Sequence, residues 1–144
     1  MQTRHRKGFT LLELLVVVGL VAAAAAIVAA ALNDARNSGR DTGIKANLAN
    51  IRQHAESDHL GTGHYNSVCG NGSTDQNPMI AELIRVAELE SPGTAVCASE
   101  ALAETQGWAI SLELASSGYW CVDATGFSGE IPGPLDHAND VSCQ

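Results

Sequence analysis

The feature that most constrains this chain is an apolar run near its N-terminus with one carboxylate inside it. From Phe9 to Leu32, 21 of 24 residues are apolar; Thr10, Glu13 and Gly19 are the exceptions. Leu14 to Leu32 is 19 residues without a charge, which as a helix spans about 28 Å, close to a bilayer core. Arg4, Arg6 and Lys7 precede the run. Such basic residues hold their end of a membrane helix in the cytoplasm and leave the bulk of the chain outside. A secretory signal peptide is the competing reading. Its apolar stretch is normally shorter, roughly 7–15 residues, with small residues at a cleavage site. The alanines at 22–26 and 29–31 imitate such a site.

Glu13 separates the two readings. A carboxylate in hydrocarbon costs about 2.5–3.5 kcal/mol on insertion scales, and neither a plain anchor nor a signal peptide gains anything from it. The bland account is a side chain that snorkels back to the headgroups, but the glutamate stem is short for that.

The residues around Glu13 carry a family resemblance. Lys7-Gly8-Phe9-Thr10-Leu11-Leu12-Glu13-Leu14-Leu15-Val16-Val17 resembles the N-terminal signature of type IV pilins and type II secretion pseudopilins. The resemblance implies cleavage by a prepilin peptidase between Gly8 and Phe9, and N-methylation of the new terminus at Phe9. The short basic leader and the phenylalanine resemble the type IVa branch. The family model also implies that Glu13 of one subunit pairs with the Phe9 ammonium of its neighbour in a helical filament. Physics supports such a device, because a buried charge is expensive alone and tolerable when paired, so misregister is penalised. Ala22–Ala26 and Ala29–Ala31 suit close helix packing. The sequence departs from the common pilin pattern in having no proline between Phe9 and Leu32, in a tract of high helix propensity.

Beyond Leu32 the chain is a different material, with 43 apolar residues among 112 and most of the acidic excess behind the net charge of −8. That balance has no basic footprint for nucleic acid. About 110 residues leave little room for a cofactor-binding α/β enzyme, and no phosphate-binding glycine loop, HExxH or GxSxG occurs. Neither a cofactor nor an enzymatic role is expected.

Ile44, Leu48, Ile51 and Ala55 recur at helical spacing and draw an apolar stripe. Asp41 and Lys45 stand at i,i+4 in the favourable order, and Gly39 and Gly43 mark a plausible bend. The spacing predicts one helix from Phe9 to about Asp58, closed by Gly61-Thr62-Gly63. Asn77-Pro78 supplies an N-cap and a first-turn proline for a second, short helix, which Ser91-Pro92-Gly93 stops. Trp108, Ile110, Leu112 and Leu114 alternate with Ala109, Ser111, Glu113 and Ala115 as in a strand. Ser116-Ser117-Gly118 is a turn, and Tyr119–Val122 the returning strand. Pro132-Gly133-Pro134 argues against a central strand after Phe127.

Cys69, Cys97, Cys121 and Cys143 all lie in this second part. Their spacings hold no CxxC-type pair for zinc, so they read as disulfides formed in an oxidising compartment. Three pairings are open; Cys69–Cys97 with Cys121–Cys143 is favoured because each bridge staples one loop-rich segment. His54, His59 and His64, five apart, do not share a helical face and read as solvated polar residues rather than a metal site. Asp123, Asp136 and Asp140 could build a calcium site with loop carbonyls, though ordinary surface acidity is the plainer reading, and Asn71-Gly72-Ser73 reads as a turn before a glycosylation acceptor.

The expected fold is α+β: a long N-terminal helix packed on a small antiparallel sheet, in the lollipop layout that the resemblance implies. The expected organisation is a leader at 1–8, a transmembrane and assembly helix at 9–32, its amphipathic continuation at 33–58 and a disulfide-containing head at 59–144. The expected function is a structural subunit of a type IV pilus-like filament. Its partners would be further copies of itself, a prepilin peptidase, the inner membrane and a pilus or secretion machinery. A type II secretion pseudopilin and a singly anchored extracytoplasmic binding protein are the alternatives.

Overall fold

Thr10 sets where helical structure begins. In the computed structural model, which describes residues 8–70, 76–99, 107–135 and 140–144, helix α1 runs from Leu11 to Thr62. The Glu13 backbone N–H donates to Thr10 Oγ1 at 3.2 Å, and the Leu14 N–H donates to the Thr10 carbonyl at 3.2 Å. This is a threonine N-cap, so the helix starts two residues later than the apolar pattern alone suggests. It continues as α-helix through Gly19, Gly39 and Gly43 without a break. It ends where Gly63, at φ +81°, donates its N–H to the His59 carbonyl at 2.7 Å, a left-handed glycine closing the last turn.

The chain divides into two compact units, one ending at Arg36 and the other running from Asn37 to Gln144. In the first, no described side chain is buried. Its helix is long and apolar enough to cross a membrane, with a mean hydropathy of 2.8 over the best window.

In the second unit, the remainder of α1 joins α2 (Asn66–Cys69), α3 (Pro78–Glu90) and four strands, β1 (Val96–Ser99), β2 (Trp108–Glu113), β3 (Tyr119–Asp123) and β4 (Ser128–Ile131). The strands form one antiparallel sheet in the order β1-β2-β3-β4. Asn77 caps α3 by accepting the Met79 N–H at 2.8 Å, with Pro78 in the first turn. The β2–β3 turn closes through Gly118 at φ +83°, whose carbonyl accepts the Leu114 N–H at 2.9 Å.

Side chains alternate across a strand, and the register assigns each to a face. Trp108, Ile110 and Leu112 of β2 and Val122 of β3 share one face and pack in a core with Ile44, Leu48, Ile51 and Ala55 of α1. The stripe read from the sequence is thus the buried face of the helix. Ala98, Ala109 and Cys121 point the other way and are covered by Leu135 and Cys143. This second layer alters one expectation. Period-two alternation suggests a strand half open to water, yet β2 is buried at Ala109 and Ser111 too, because the C-terminal segment lies over them. Ser111 Oγ accepts the Leu135 N–H at 3.0 Å there.

The two faces also organise the disulfides. Cys97 stands opposite Ile110, which stands opposite Val122, whereas Cys121 stands opposite Ser111. Cys97 and Cys121 therefore lie on opposite sides of the sheet. Cys97 bonds to Cys69 of α2, with Cα atoms 5.6 Å apart, and Cys121 bonds to Cys143, at 5.9 Å.

Candidate processing and assembly segment

The residues that the sequence singles out for chemistry sit at the start of α1. Gly8, Phe9 and Thr10 are non-helical and exposed, with the Phe9 side chain 77% accessible. The Gly8–Phe9 peptide bond thus lies outside the helical hydrogen-bonding pattern and is exposed. Glu13 is exposed in the first helical turn, where the free N–H groups and the helix dipole favour a carboxylate. Thr10, which caps the helix, is not among the residues that the sequence singles out. Its signal was there in the Thr10-x-x-Glu13 spacing that opens many helices. That spacing gives the backbone of Glu13 a local role in addition to any role of its carboxylate. From Leu14 onward the apolar side chains form no core of their own: Leu14, Leu15, Leu20, Val21, Ile27 and Leu32 are all more than half exposed.

In the second unit the polar residues that matter are structural anchors. Asp41 and Lys45, spaced for a helical ion pair, do not form one. Asp41 is buried and accepts the Ala115 N–H at 2.6 Å, the Ser116 N–H at 3.3 Å and the Ser116 hydroxyl. Lys45 lies 3.7 Å from Glu130 and 4.5 Å from the centre of the Trp120 ring. Both residues are drawn to the sheet, which offers Asp41 three donors and Lys45 a carboxylate with an aromatic face.

Asp123 is fully buried. One carboxylate oxygen accepts the Thr125 N–H (2.9 Å), the Thr125 hydroxyl (2.7 Å) and the Phe127 N–H (3.1 Å). The other accepts the Cys143 N–H at 2.9 Å. Burial pushes its pKa up, but the hydrogen bonds from Cys143, Thr125 and Phe127 outweigh it and hold the carboxyl below its usual range. Both oxygens are occupied by donors, which is the reverse of what a calcium ligand needs. Asp136 lies outside the described residues, as does Asn71-Gly72-Ser73.

The three histidines are not brought together as a ligand set. His59 stacks on Tyr65 with ring centres 4.3 Å apart, and His64 belongs to the loop after α1. Burial raises the Tyr65 pKa, and its hydrogen bond to Glu56, at 3.1 Å, raises it further. Among the described residues, no group of three or more His, Cys, Asp or Glu is placed to hold a metal.

Comparison with known proteins places the N-terminal segment in a class. Residues 3–29 match the family model described as the prokaryotic N-terminal methylation motif. No curated protein and no solved structure matches the chain. The chain therefore carries the prepilin signature of type IV pilin-type proteins on an α+β fold of pilin-like layout. The motif points to a structural subunit and implies processing by a prepilin peptidase. Together with the apolar helix, it is compatible with membrane anchoring.

Proposed function

We propose that this protein is a structural subunit of a type IV pilus-like filament, cut between Gly8 and Phe9, N-methylated at Phe9 and assembled through residues 9–32. The observation that carries this reading is an apolar helix exposed on every side, with one carboxylate, Glu13, at the fifth position of the apolar run that starts at Phe9, inside the matched motif. A lone membrane anchor pays for that carboxylate with no return. In an assembly, the ammonium that cleavage creates on Phe9 of one copy neutralises Glu13 of the next, so pairing is favoured only at the correct axial offset. Residues 33–58 continue the helix into a head, residues 59–144, that forms the filament surface.

In this reading the precursor sits in the inner membrane with residues 1–8 in the cytoplasm. The assembled form lies beyond that membrane, where the two disulfides persist. Intact mass and N-terminal peptide analysis of the membrane-extracted protein is the direct test, with a chain starting at N-methyl-Phe9 expected. An uncut chain starting at Met1 would support a simple anchored protein instead. Glu13→Ala is expected to insert into the membrane normally yet give few filaments in sheared surface material. Normal filament yield from that variant would refute the registry role.

A further inference from the structure

Beyond Gly8 the chain holds only five fixed cations, Arg36, Arg40, Lys45, Arg52 and Arg85, against sixteen carboxylates. Four of the five have partners within the chain. Arg40 faces Glu90 at 3.6 Å, Lys45 faces Glu130 at 3.7 Å, and Arg85 bonds Glu82 at 2.6 Å. Arg52 donates to the Phe127 carbonyl. Arg36 is exposed, and among the described residues it pairs with nothing. Two residues earlier Asp34 is also exposed and, among the described residues, also pairs with nothing. These are the first charges after the uncharged stretch that ends at Asn33.

Their placement on one helix gives them a geometry. Two residues of α-helix turn through about 200° and rise about 3 Å. Asp34 and Arg36 thus project from nearly opposite sides of α1 at almost the same height. A helix with an anion on one side and a cation on the other is complementary to a second copy of itself standing beside it. The contact is heterologous, since each copy uses a different side, and repeats without closing on a two-fold axis; such contacts build rings or open helical filaments.

We propose that Arg36 of one copy pairs with Asp34 of the next, where the apolar helices emerge into water. The proposal rests on the filament reading and adds a second contact to it, outside the apolar layer. A lipid surface fits the two charges less well. An anionic surface that attracted Arg36 would also repel Asp34. A neighbouring copy accommodates both. Arg36 is the one fixed cation beyond Gly8 without an internal partner among the described residues, which leaves it free to serve a neighbour.

The test is a charge exchange in the full-length protein in its own membrane. Arg36→Glu and Asp34→Arg are each expected to lower sheared filament yield about fivefold or more, through like charges set face to face along the polymer. The double exchange, Asp34→Arg with Arg36→Asp, is expected to recover most of it. Wild-type yield from Arg36→Glu, or no recovery in the double exchange, would overturn the pairing while leaving the filament reading intact. A benzophenone amino acid in place of the exposed Asn33, on the Arg36 side of the helix and with both charges intact, gives a readout that does not depend on yield. Photo-adducts are expected to join two copies through a peptide containing Asp34, and adducts to phospholipid alone would overturn the proposal. If the wild-type chain keeps its leader and forms no filaments, it is the filament reading that fails. The position-33 adduct still reports whether copies meet there.

Discussion

Replacing Asp123 by alanine should detach the C-terminal segment from the back of the sheet. The carboxylate accepts four hydrogen bonds between 2.7 and 3.1 Å while fully buried. In the Asp123→Ala variant the Thr125 and Phe127 donors sit in a turn, where water reaches them, so their loss is partly compensated. The Cys143 N–H is in the buried layer and is left without a partner, at about 1–3 kcal/mol. Adding the loss of charge-assisted bonds to the turn, at about 1.5–3 kcal/mol for one such bond, gives about 2.5–6 kcal/mol in all. For a domain of roughly 100 residues, each kcal/mol moves the melting temperature by about 4–8 °C, so a fall of at least about 10 °C is expected.

The pH dependence has a definite sign. Because the folded carboxyl is held below its unfolded value, its contribution is complete above the unfolded pKa, near 4, and is lost as the pH falls through the folded one. The difference between wild type and Asp123→Ala should therefore be constant near neutrality and shrink in acid. The assay is a set of thermal melts of the oxidised full chain in detergent, with amide exchange at Cys143 as the local probe. A fall of less than 1 kcal/mol, or a difference that grows in acid, would refute the reasoning and leave the disulfide as the sole tether of the segment.

Two further predictions concern other parts of the molecule. Cys69 and Cys97 are both half-buried, whereas Cys121 is fully buried and Cys143 nearly so; graded reduction with thiol labelling should open Cys69–Cys97 first, and the opposite order would contradict this burial argument. Thr10→Ala should weaken the first turn of α1 by about 1 kcal/mol, seen as faster amide exchange at Glu13 and Leu14, while Thr10→Ser should behave as the wild type does.

The elements legible in the sequence were those whose pattern is set by one dominant force. Ile44, Leu48, Ile51 and Ala55 repeat because one side of a helix faces a core, and Trp108 to Leu114 alternate because a strand does the same. Asn77-Pro78 announces α3 because few backbone conformations suit that dipeptide. Short edge strands carry little such information. β1 is Val-Cys-Ala-Ser and β4 is Ser-Gly-Glu-Ile, four residues each, and pairing with their neighbours is what makes them strands. α2, four residues within a polar stretch, escaped for the same reason. The layer over Ala109 and Cys121 was invisible because its residues, Leu135 and Cys143, come from an aperiodic tail.

At the N-terminus the sequence was more informative than the fold, since the motif at residues 3–29 is read from residue types and the fold adds only that Gly8, Phe9 and Glu13 are exposed. Asp41 shows the opposite case. Its helical spacing to Lys45 suggested a local pair, and only the folded chain reveals three donors at the β2–β3 turn that hold it better.

The two disulfides, one on each side of the sheet, have a consequence for wear. A filament on a cell surface meets proteases and shear, and its service life depends on where a broken chain comes apart. A cut between Cys69 and Cys97, or between Cys121 and Cys143, leaves both ends of the break fastened to the same subunit. Only the stretch from Cys97 to Cys121 joins the two closed loops, and β2, buried on both faces, occupies its centre. If the proposed filament forms, a subunit nicked in either loop would keep its place in it, so that cuts within the loops accumulate as silent breaks rather than as lost heads.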